Sequence, residues 1–399
     1  MTDQENSFDV VVVGGGPAGL AAAIALSQTG VRTALVARHV PYADNRTTAL
    51  LGGSVDFLDE IGVWSACRDR AAGLKAMRLV DDTGRLIRAP EVRFVADEIG
   101  LDVFGYNIAN EVLVDALEER ARAIEGLVRI AEDAESVRSD AQSVTITTTS
   151  GRTLSAQLAV GADGRHSLCR GAAGIGVSRR ALQQTALTFN ITHARPHHNV
   201  STEFHTPHGP CVFVPLPGDR SSVVWVAAPK EAERLHGLDD DALSAAAERQ
   251  SHAIFGRVHV EPGRHMFPLG IERPQRYAQN RIALIGEAAH VVPPIGAQGL
   301  NLGLRDGIDI AEVVRQARAA GEDLGAPQVI ARYCAARRAD ILSRTFVIDV
   351  ANRSLLSDLL PVQSMRAVGM HLIGGIGPLR RLAMREGLAP SWRTTRRAG

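Results

Sequence analysis

FDVVVVGGGPAGLAAAIALSQ, residues 8–28, reads as a strand, a glycine turn and a helix in unbroken succession. Phe8–Val13 is an apolar run of strand type. It stops at Gly14-Gly-Gly16-Pro-Ala-Gly19, and an alanine- and leucine-rich helical stretch follows from Leu20 to Gln28. In that context the glycine spacing is a dinucleotide fingerprint. Gly14 permits the tight turn, Gly16 lets a pyrophosphate approach the backbone, and Gly19 lets helix and strand pack closely. The helix N-terminus turns the positive end of its dipole toward the anion. The segment predicts an α/β fold built on a Rossmann-like unit.

The second strand, Arg32–Val36, should end in an acid that accepts hydrogen bonds from a ribose. Ala37 stands there instead, followed by Arg38. Asn45-Arg-Thr-Thr-Ala-Leu50 then leads into a helix through Val55–Gly62, where Arg46 is placed either to meet phosphate or to stay solvated. Met77–Arg93 reads as a hairpin turning at Asp81-Asp-Thr-Gly84. Asn110 precedes a helix over Glu111–Ile124, and strands are predicted at Ser143–Thr149 and Leu154–Val160. The latter ends at Gly161-Ala-Asp163-Gly164, where the aspartate either approaches a cofactor or shapes the turn.

From Leu182 to Arg276 the pattern changes to short alternating runs at Ala186–Thr192, Ser201–His205, Cys211–Pro215 and Ser222–Ala227, with a helix at Leu238–Gln250. This predicts an antiparallel sheet inserted between parts of the first domain. His193, His197, His198, His205 and His208 crowd this region but lack regularly spaced acidic partners, so no metal site is expected. RIALIGEAAHVVPPIGAQGLNLGLRDGID, residues 281–309, follows as a second strand, loop and helix. Gly286, Gly296, Gly299 and Gly303 let its main chain approach something flat or charged, while Pro293 and Pro294 stiffen it. From Pro361 onward seven arginines face one acid, Glu386, a balance of about +6. This basic, apolar end suits either an anionic membrane surface or a solvated helix.

The 399 residues carry 44 basic and 44 acidic side chains, so no global field favours nucleic acid. Cys67, Cys169, Cys211 and Cys334 have no CxxC spacing, which predicts packing roles in a reducing compartment. Asp3 and Glu5 precede the short valine run, a poor fit to a secretory signal or a spanning helix. A cytoplasmic protein is expected, with a peripheral place on the inner membrane face if the basic end engages lipid.

The fingerprint, the Asp163-Gly164 strand end and the late Gly286-Glu-Ala-Ala-His290 loop together resemble the flavin-dependent aromatic hydroxylases typified by para-hydroxybenzoate hydroxylase. Pro294-Ile-Gly-Ala-Gln298-Gly-Leu-Asn301-Leu-Gly-Leu-Arg-Asp306 is most similar to the ubiquinone-biosynthesis hydroxylases. Arg46-Thr-Thr-Ala-Leu50, Gly105-Tyr106, Glu203-Phe204 before Gly209-Pro210, Gly321-Glu-Asp323 and Asn352–Asp358 extend the resemblance along nearly the whole chain. Three departures stand out. Glu287 replaces the usual aspartate, Gly296-Ala-Gln-Gly299 loosens the usual Gly-Gln-Gly, and Ala37 replaces the ribose acid.

The resemblance implies a discontinuous FAD-binding domain over 1–75, 101–180 and 277–345, a substrate domain over 76–100 and 181–276, and a helical region over 346–399. It implies FAD lying extended, its pyrophosphate on Gly14, Gly16, Gly19 and Arg46, with Asn110 and Asp163 beside it. Gly286 and Glu287 would hold the ribityl chain. Gly296, Gln298, Gly299, Leu300 and Asn301 would meet the pyrimidine edge of the ring, where the helix dipole favours the reduced, anionic flavin. Reduced flavin and O2 give a peroxide adduct that hydroxylates an aromatic ring, and the protein orients the ring and excludes water. Pro294 would wall the oxygen-reacting side. His290 would either move protons or fix the loop. NAD(P)H would be a transient reductant, since no second glycine fingerprint exists. Phe213 and either Val224 or Trp225 would line the ring pocket. The implied substrate is a polyprenylated phenol of ubiquinone biosynthesis, alongside other enzymes of that pathway. The alternatives are a soluble aromatic substrate and a non-catalytic scaffold of a quinone-biosynthesis complex.

Overall fold

The computed structural model describes residues 6–39, 45–85, 88–294, 296–338, 340–341 and 360–388. Asn352–Asp358, named above, and three of the seven C-terminal arginines, Arg393, Arg396 and Arg397, lie outside the described residues.

The valine run forms strand Ser7–Val13 at the centre of an eight-stranded sheet. Thr33–Val36 and Thr153–Gly161 flank it in parallel register, with Leu127–Ile130 and Ile282–Leu284 outside them. A strand with parallel neighbours on both sides is covered by helices on its faces, which is why all four valines are buried. The fingerprint helix, Pro17–Gln28, is buried along nearly its whole length from Gly19 to Ser27. It packs against the helices Asn110–Arg122 and Gln298–Ala319. Its alanines allow that close fit.

A second eight-stranded sheet is built mainly from 177–274, with Ala76–Asp81 and Val92–Val95 added at one edge. These two strands pair antiparallel, Met77 opposite Phe94, but the chain between them is longer than the single turn the sequence suggested. One face of this sheet carries Leu187, Phe189, Ile191, Phe204, Phe213 and Trp225 into a core shared with the helices Pro229–His236 and Asp240–Gln250. The other face looks toward the first sheet. Phe213 and Trp225 therefore lie on the side away from the expected ring pocket, and only Val224 of the three anticipated lining residues faces it. A small three-stranded sheet joins Thr47–Leu51, Gly105–Ala109 and Ala71–Gly73.

Two helices, Leu360–Gly375 and Gly377–Leu388, close the described chain. The second is fastened to the edge of the inserted sheet. Arg380 donates to Glu98 from Nε at 2.8 Å, and Met384 packs into a cluster with Phe94, Phe104 and Met77.

Candidate active site

Two glycines of the fingerprint are required by the protein's own packing. Gly14 has φ +115°, and a Cβ there would lie 2.3 Å from the Ala162 carbonyl oxygen. A Cβ on Gly19 would lie 2.0 Å from the Gly14 carbonyl oxygen. Gly16 differs, because a Cβ there meets no atom within 4 Å. It borders a cleft of about 550 Å³ lined also by Ala37, Arg38, Glu118, Asp133 and Asp163. The fingerprint helix opens onto this cleft with Pro17 in its first turn, no side-chain cap and no acid. Its free N–H groups and dipole make a ready site for a pyrophosphate, so the residues present fit the cofactor.

At the ribose end, the strand Thr33–Val36 supplies no carboxylate. Two others arrive from distant parts of the chain. Glu118 is buried and bound by Arg129, which also donates to the Ala37 carbonyl at 3.1 Å. Asp133 meets the Arg38 guanidinium at 2.5 Å and remains 44% exposed, which makes it the accessible carboxylate of this cleft. No local motif announced either residue.

Asp163 shapes the turn and also borders the cleft. Its carboxylate accepts from Ser167 Oγ at 2.6 Å and from the Cys169 N–H at 3.0 Å, fixing the start of the short helix Leu168–Ala172. Two residues on, Arg165 reaches Glu287 at 3.2 Å. This pair stands on the wall of a second cavity of about 570 Å³, enclosed between the first domain and the inserted sheet.

Arg46 and Asn110 line one end of that cavity, tied together by the Asn110 N–H on the Arg46 carbonyl at 2.9 Å. Thr48 Oγ1 donates to Asn110 Oδ1 at 2.5 Å. The late loop forms the floor, where Pro294, Gly296, Gln298, Gly299 and Leu300 all line the space. Gly296 and Ala297 both take left-handed backbone angles, φ +61° and +54°. For alanine this costs about 1–2 kcal/mol. Asn301 holds the strained turn in place. Its Nδ2 donates to the Ala297 carbonyl at 2.5 Å and to the Ala49 carbonyl at 2.8 Å, and its Oδ1 accepts from the Leu51 N–H and Ser54 Oγ. Both ends of the Asn301 amide are occupied within the protein, and the side chain is buried outside the cavity lining.

The helix that starts at Gln298 again has no side-chain cap and no acid in its first turn. A Cβ on Gly299 would meet nothing within 4 Å. Both helix N-termini thus face open, concave space with bare backbone donors.

His290 lies beneath the loop and outside the cavity lining, only 3% exposed. Its Nε2 is 2.7 Å from Asp306 Oδ2, which also accepts the Gly286 N–H at 2.8 Å. Asp306 Oδ1 faces Arg337 Nε at 2.6 Å, and neither side chain reaches solvent. Burial alone would raise the Asp306 carboxyl, but Arg337, His290 and the Gly286 N–H outweigh it and hold the group below its ordinary value. The His290 side chain thus braces, through Asp306, the turn at Gly286 from inside the protein and does not line the cavity. Gly286 itself, at φ +58°, presents its N–H inward to Asp306. Among the described residues no group of three or more potential ligands could hold a metal ion.

The FAD binding domain family matches residues 7–339 of the chain. Ubiquinone hydroxylase UbiL of Rhodospirillum rubrum is 33% identical over 387 residues, covering 95% of this chain and 89% of that protein. The chain belongs to the FAD-dependent aromatic hydroxylases, in their ubiquinone-biosynthesis family. The 3-demethoxyubiquinol 3-hydroxylase of Escherichia coli is 29% identical to this hydroxylase over 402 residues, covering 97% and 100% of the two chains. Among solved structures, p-nitrophenol 4-monooxygenase PnpA from Pseudomonas putida superposes with a TM-score of 0.78 at 20% identity, over 96% of the hydroxylase and 98% of PnpA. That likeness establishes the fold, a Rossmann-like FAD-binding unit with an inserted antiparallel sheet.

FAD, when bound and reduced, supplies this hydroxylase with the electrons that split dioxygen, one oxygen atom going to the ring and one to water. The bare helix N-terminus at Gly16 would hold the pyrophosphate, the N-terminus at Gln298 would offer donors to the ring edge, and the loop with Pro293 and Pro294 would shield the reacting face from water.

Proposed function

We propose that this hydroxylase adds one oxygen atom from O2 to the ring of a neutral, polyprenylated phenol in ubiquinone biosynthesis, with NAD(P)H as a transient reductant. The FAD-binding part comprises 1–75, 101–180 and 277–345, and the substrate part 76–100 and 181–276. Gly14, Gly16, Gly19, Arg46, Asn110 and Asp163 hold the pyrophosphate and adenosine half, with Asp133 serving the ribose. Arg165 and Glu287 flank the ribityl chain, Gly296 and Gln298 to Leu300 meet the ring edge, and Pro294 faces the reacting oxygen.

The observation that carries the substrate class is the charge of the cavity roof. Met77, Asn190, Ser201, Val212, Val214 and Val224 are among the inserted-sheet residues that line it, and no cation is in the set. Its one ionisable member is Glu203, an acid. The cavity's two cations, Arg46 and Arg165, belong to the first domain, so a carboxylated ring held against the roof would lie beside the Glu203 anion with no cation of the sheet to offset it, a cost of about 1 kcal/mol or more. A neutral phenol meets no such penalty.

The prenyl tail is supported by the C-terminal helices. Met365, Val368, Leu372, Ile376, Leu379 and Leu382 are all exposed there, at helical spacing, beside the exposed Arg381 and Arg385. Such a stripe rests on an anionic lipid surface rather than crossing it, and no described helix is long and apolar enough to span a membrane. The second helix packs on Met77, which is also a cavity wall, so the lipid face and the ring pocket share one edge of the inserted sheet.

The test is incubation of the FAD-loaded enzyme with NAD(P)H and a set of prenylphenols, with products identified by mass. A product 16 mass units heavier supports the reading. NAD(P)H consumption stimulated only by carboxylated soluble aromatics, with those alone hydroxylated, would replace it by the soluble-substrate reading.

A further inference from the structure

We propose that Glu203 receives the phenolic hydroxyl of the substrate and makes the hydroxylase selective for a free, uncharged phenol. The inference rests on the neutral-phenol reading above and gives it a residue.

Register fixes the position. Glu203 lies opposite Val212 on the neighbouring strand, Val212 opposite Val224, and Val224 opposite Thr188. All four line the cavity, so one row across the roof runs hydroxyl, valine, valine, carboxylate. With strands about 4.8 Å apart, the two valines form an apolar shelf on the scale of one aromatic ring. Glu203 ends that shelf. Alternation puts His205 on the same face two residues further along, and its Nε2 lies 2.9 Å from Glu203 Oε1. One carboxylate oxygen is thereby held from the side, leaving Oε2 for the cavity. The pair is shielded, with Glu203 only 17% and His205 13% exposed, where a charge-assisted hydrogen bond is strong.

A phenolic O–H is the donor that this oxygen lacks. A methyl ether offers no donor, and a ring carboxylate in its place would oppose two anions. In the reaction the carboxylate takes the phenolic proton while a ring carbon ortho or para to the oxygen forms its new C–O bond. That carbon then loses its hydrogen to water as a proton, the electron pair restores the aromatic ring, and Glu203 returns the proton to the phenolate. Electrons for the oxygen atom left behind as water come from NAD(P)H through the flavin, so the carboxylate ends unchanged.

The experiment uses FAD-loaded enzyme and two readouts. Titration with p-cresol, 4-methylanisole and 4-hydroxybenzoate, followed by the flavin absorbance, should show p-cresol binding about ten-fold or more tighter than either of the others. Glu203→Leu should lose that preference, Glu203→Gln, whose amide oxygen still accepts a hydroxyl, should lose only the discrimination against 4-hydroxybenzoate, and Glu203→Asp should keep both. In turnover on a short-chain prenylphenol, Glu203→Gln should yield about 100-fold less product per NAD(P)H oxidised, with FAD affinity unchanged. Equal binding of cresol and its ether by the unaltered enzyme, or undiminished coupling in Glu203→Gln, overturns the assignment. An enzyme that shows the hydroxyl preference but hydroxylates no prenylphenol instead overturns the proposed substrate and leaves Glu203 in place.

Discussion

Gly16 and Gly299 differ from Gly14 and Gly19 in what a side chain would meet, and the difference separates binding from folding. At Gly16 and Gly299 the protein leaves open space; at Gly14 and Gly19 backbone oxygens stand within 2.3 and 2.0 Å of an added Cβ. Gly16→Val and Gly299→Val should give folded, colourless protein with an unchanged melting temperature and FAD affinity lowered about 100-fold or more. Gly14→Val and Gly19→Val should fail to fold, a backbone clash costing more than about 4 kcal/mol. Flavin absorbance beside a melting curve of the flavin-free protein reads both. Asp133→Asn should weaken FAD about ten-fold, the loss of a hydrogen bond to a charged group, and leave FMN binding untouched, because FMN has no adenosine. Equal loss for FMN would remove Asp133 from the ribose site. The glycines were legible in the sequence because a turn is decided within a few residues. Asp133 was not, because it reaches Arg38 from 95 positions away, and no local pattern encodes that meeting.

At the scale of elements, the helix over 327–338 grips the flavin loop through one buried charge system. Arg337 faces Asp306, Asp309 and Asp340, and Asp306 in turn holds His290 and the Gly286 N–H. Removing one partner strands the others, so Asp306→Asn and Arg337→Met should each destabilise the protein by about 3–5 kcal/mol, seen in urea unfolding. The sign with pH follows from Asp306, whose carboxyl is held below its ordinary value. Its contribution is complete above the unfolded carboxylate range, about pH 4, and is lost as pH falls through the lower folded value. In Asp306→Asn that acid-side loss should shrink. Strands and helices with strong local periodicity were legible. The strand Val177–His193 was predicted only from Ala186 onward because its pairing with His265–Pro274 shifts register between Ala181 and Thr185, which breaks the alternation. Phe213 was placed on the wrong face because alternation separates two faces without saying which one meets the helices. Asn301 and His290 sit in a legible motif, yet their side chains turn inward to hold it.

In the whole molecule, the inserted sheet supplies the roof, the first domain the floor, and the C-terminal helices an apolar, basic surface at the roof's edge. Full-length protein should float with anionic liposomes, and a chain ended before Pro361 should stay in solution; if both stay in solution, the lipid-surface proposal fails. The overall architecture was legible because the fingerprint, the change to alternating runs and the late loop appear in fixed order. The charge of the roof was not, since its lining comes from several strands whose register only folding sets. On the proposed function, this enzyme transfers an oxygen atom from O2 to the ring of a neutral phenol. Turnover of a prenylphenol with NAD(P)H under ¹⁸O2 in ordinary water tests it most directly. The expected result is a hydroxylated product carrying the ¹⁸O label. A product labelled only when the water is ¹⁸O-enriched, or NAD(P)H oxidation with no oxygenated ring, would contradict it.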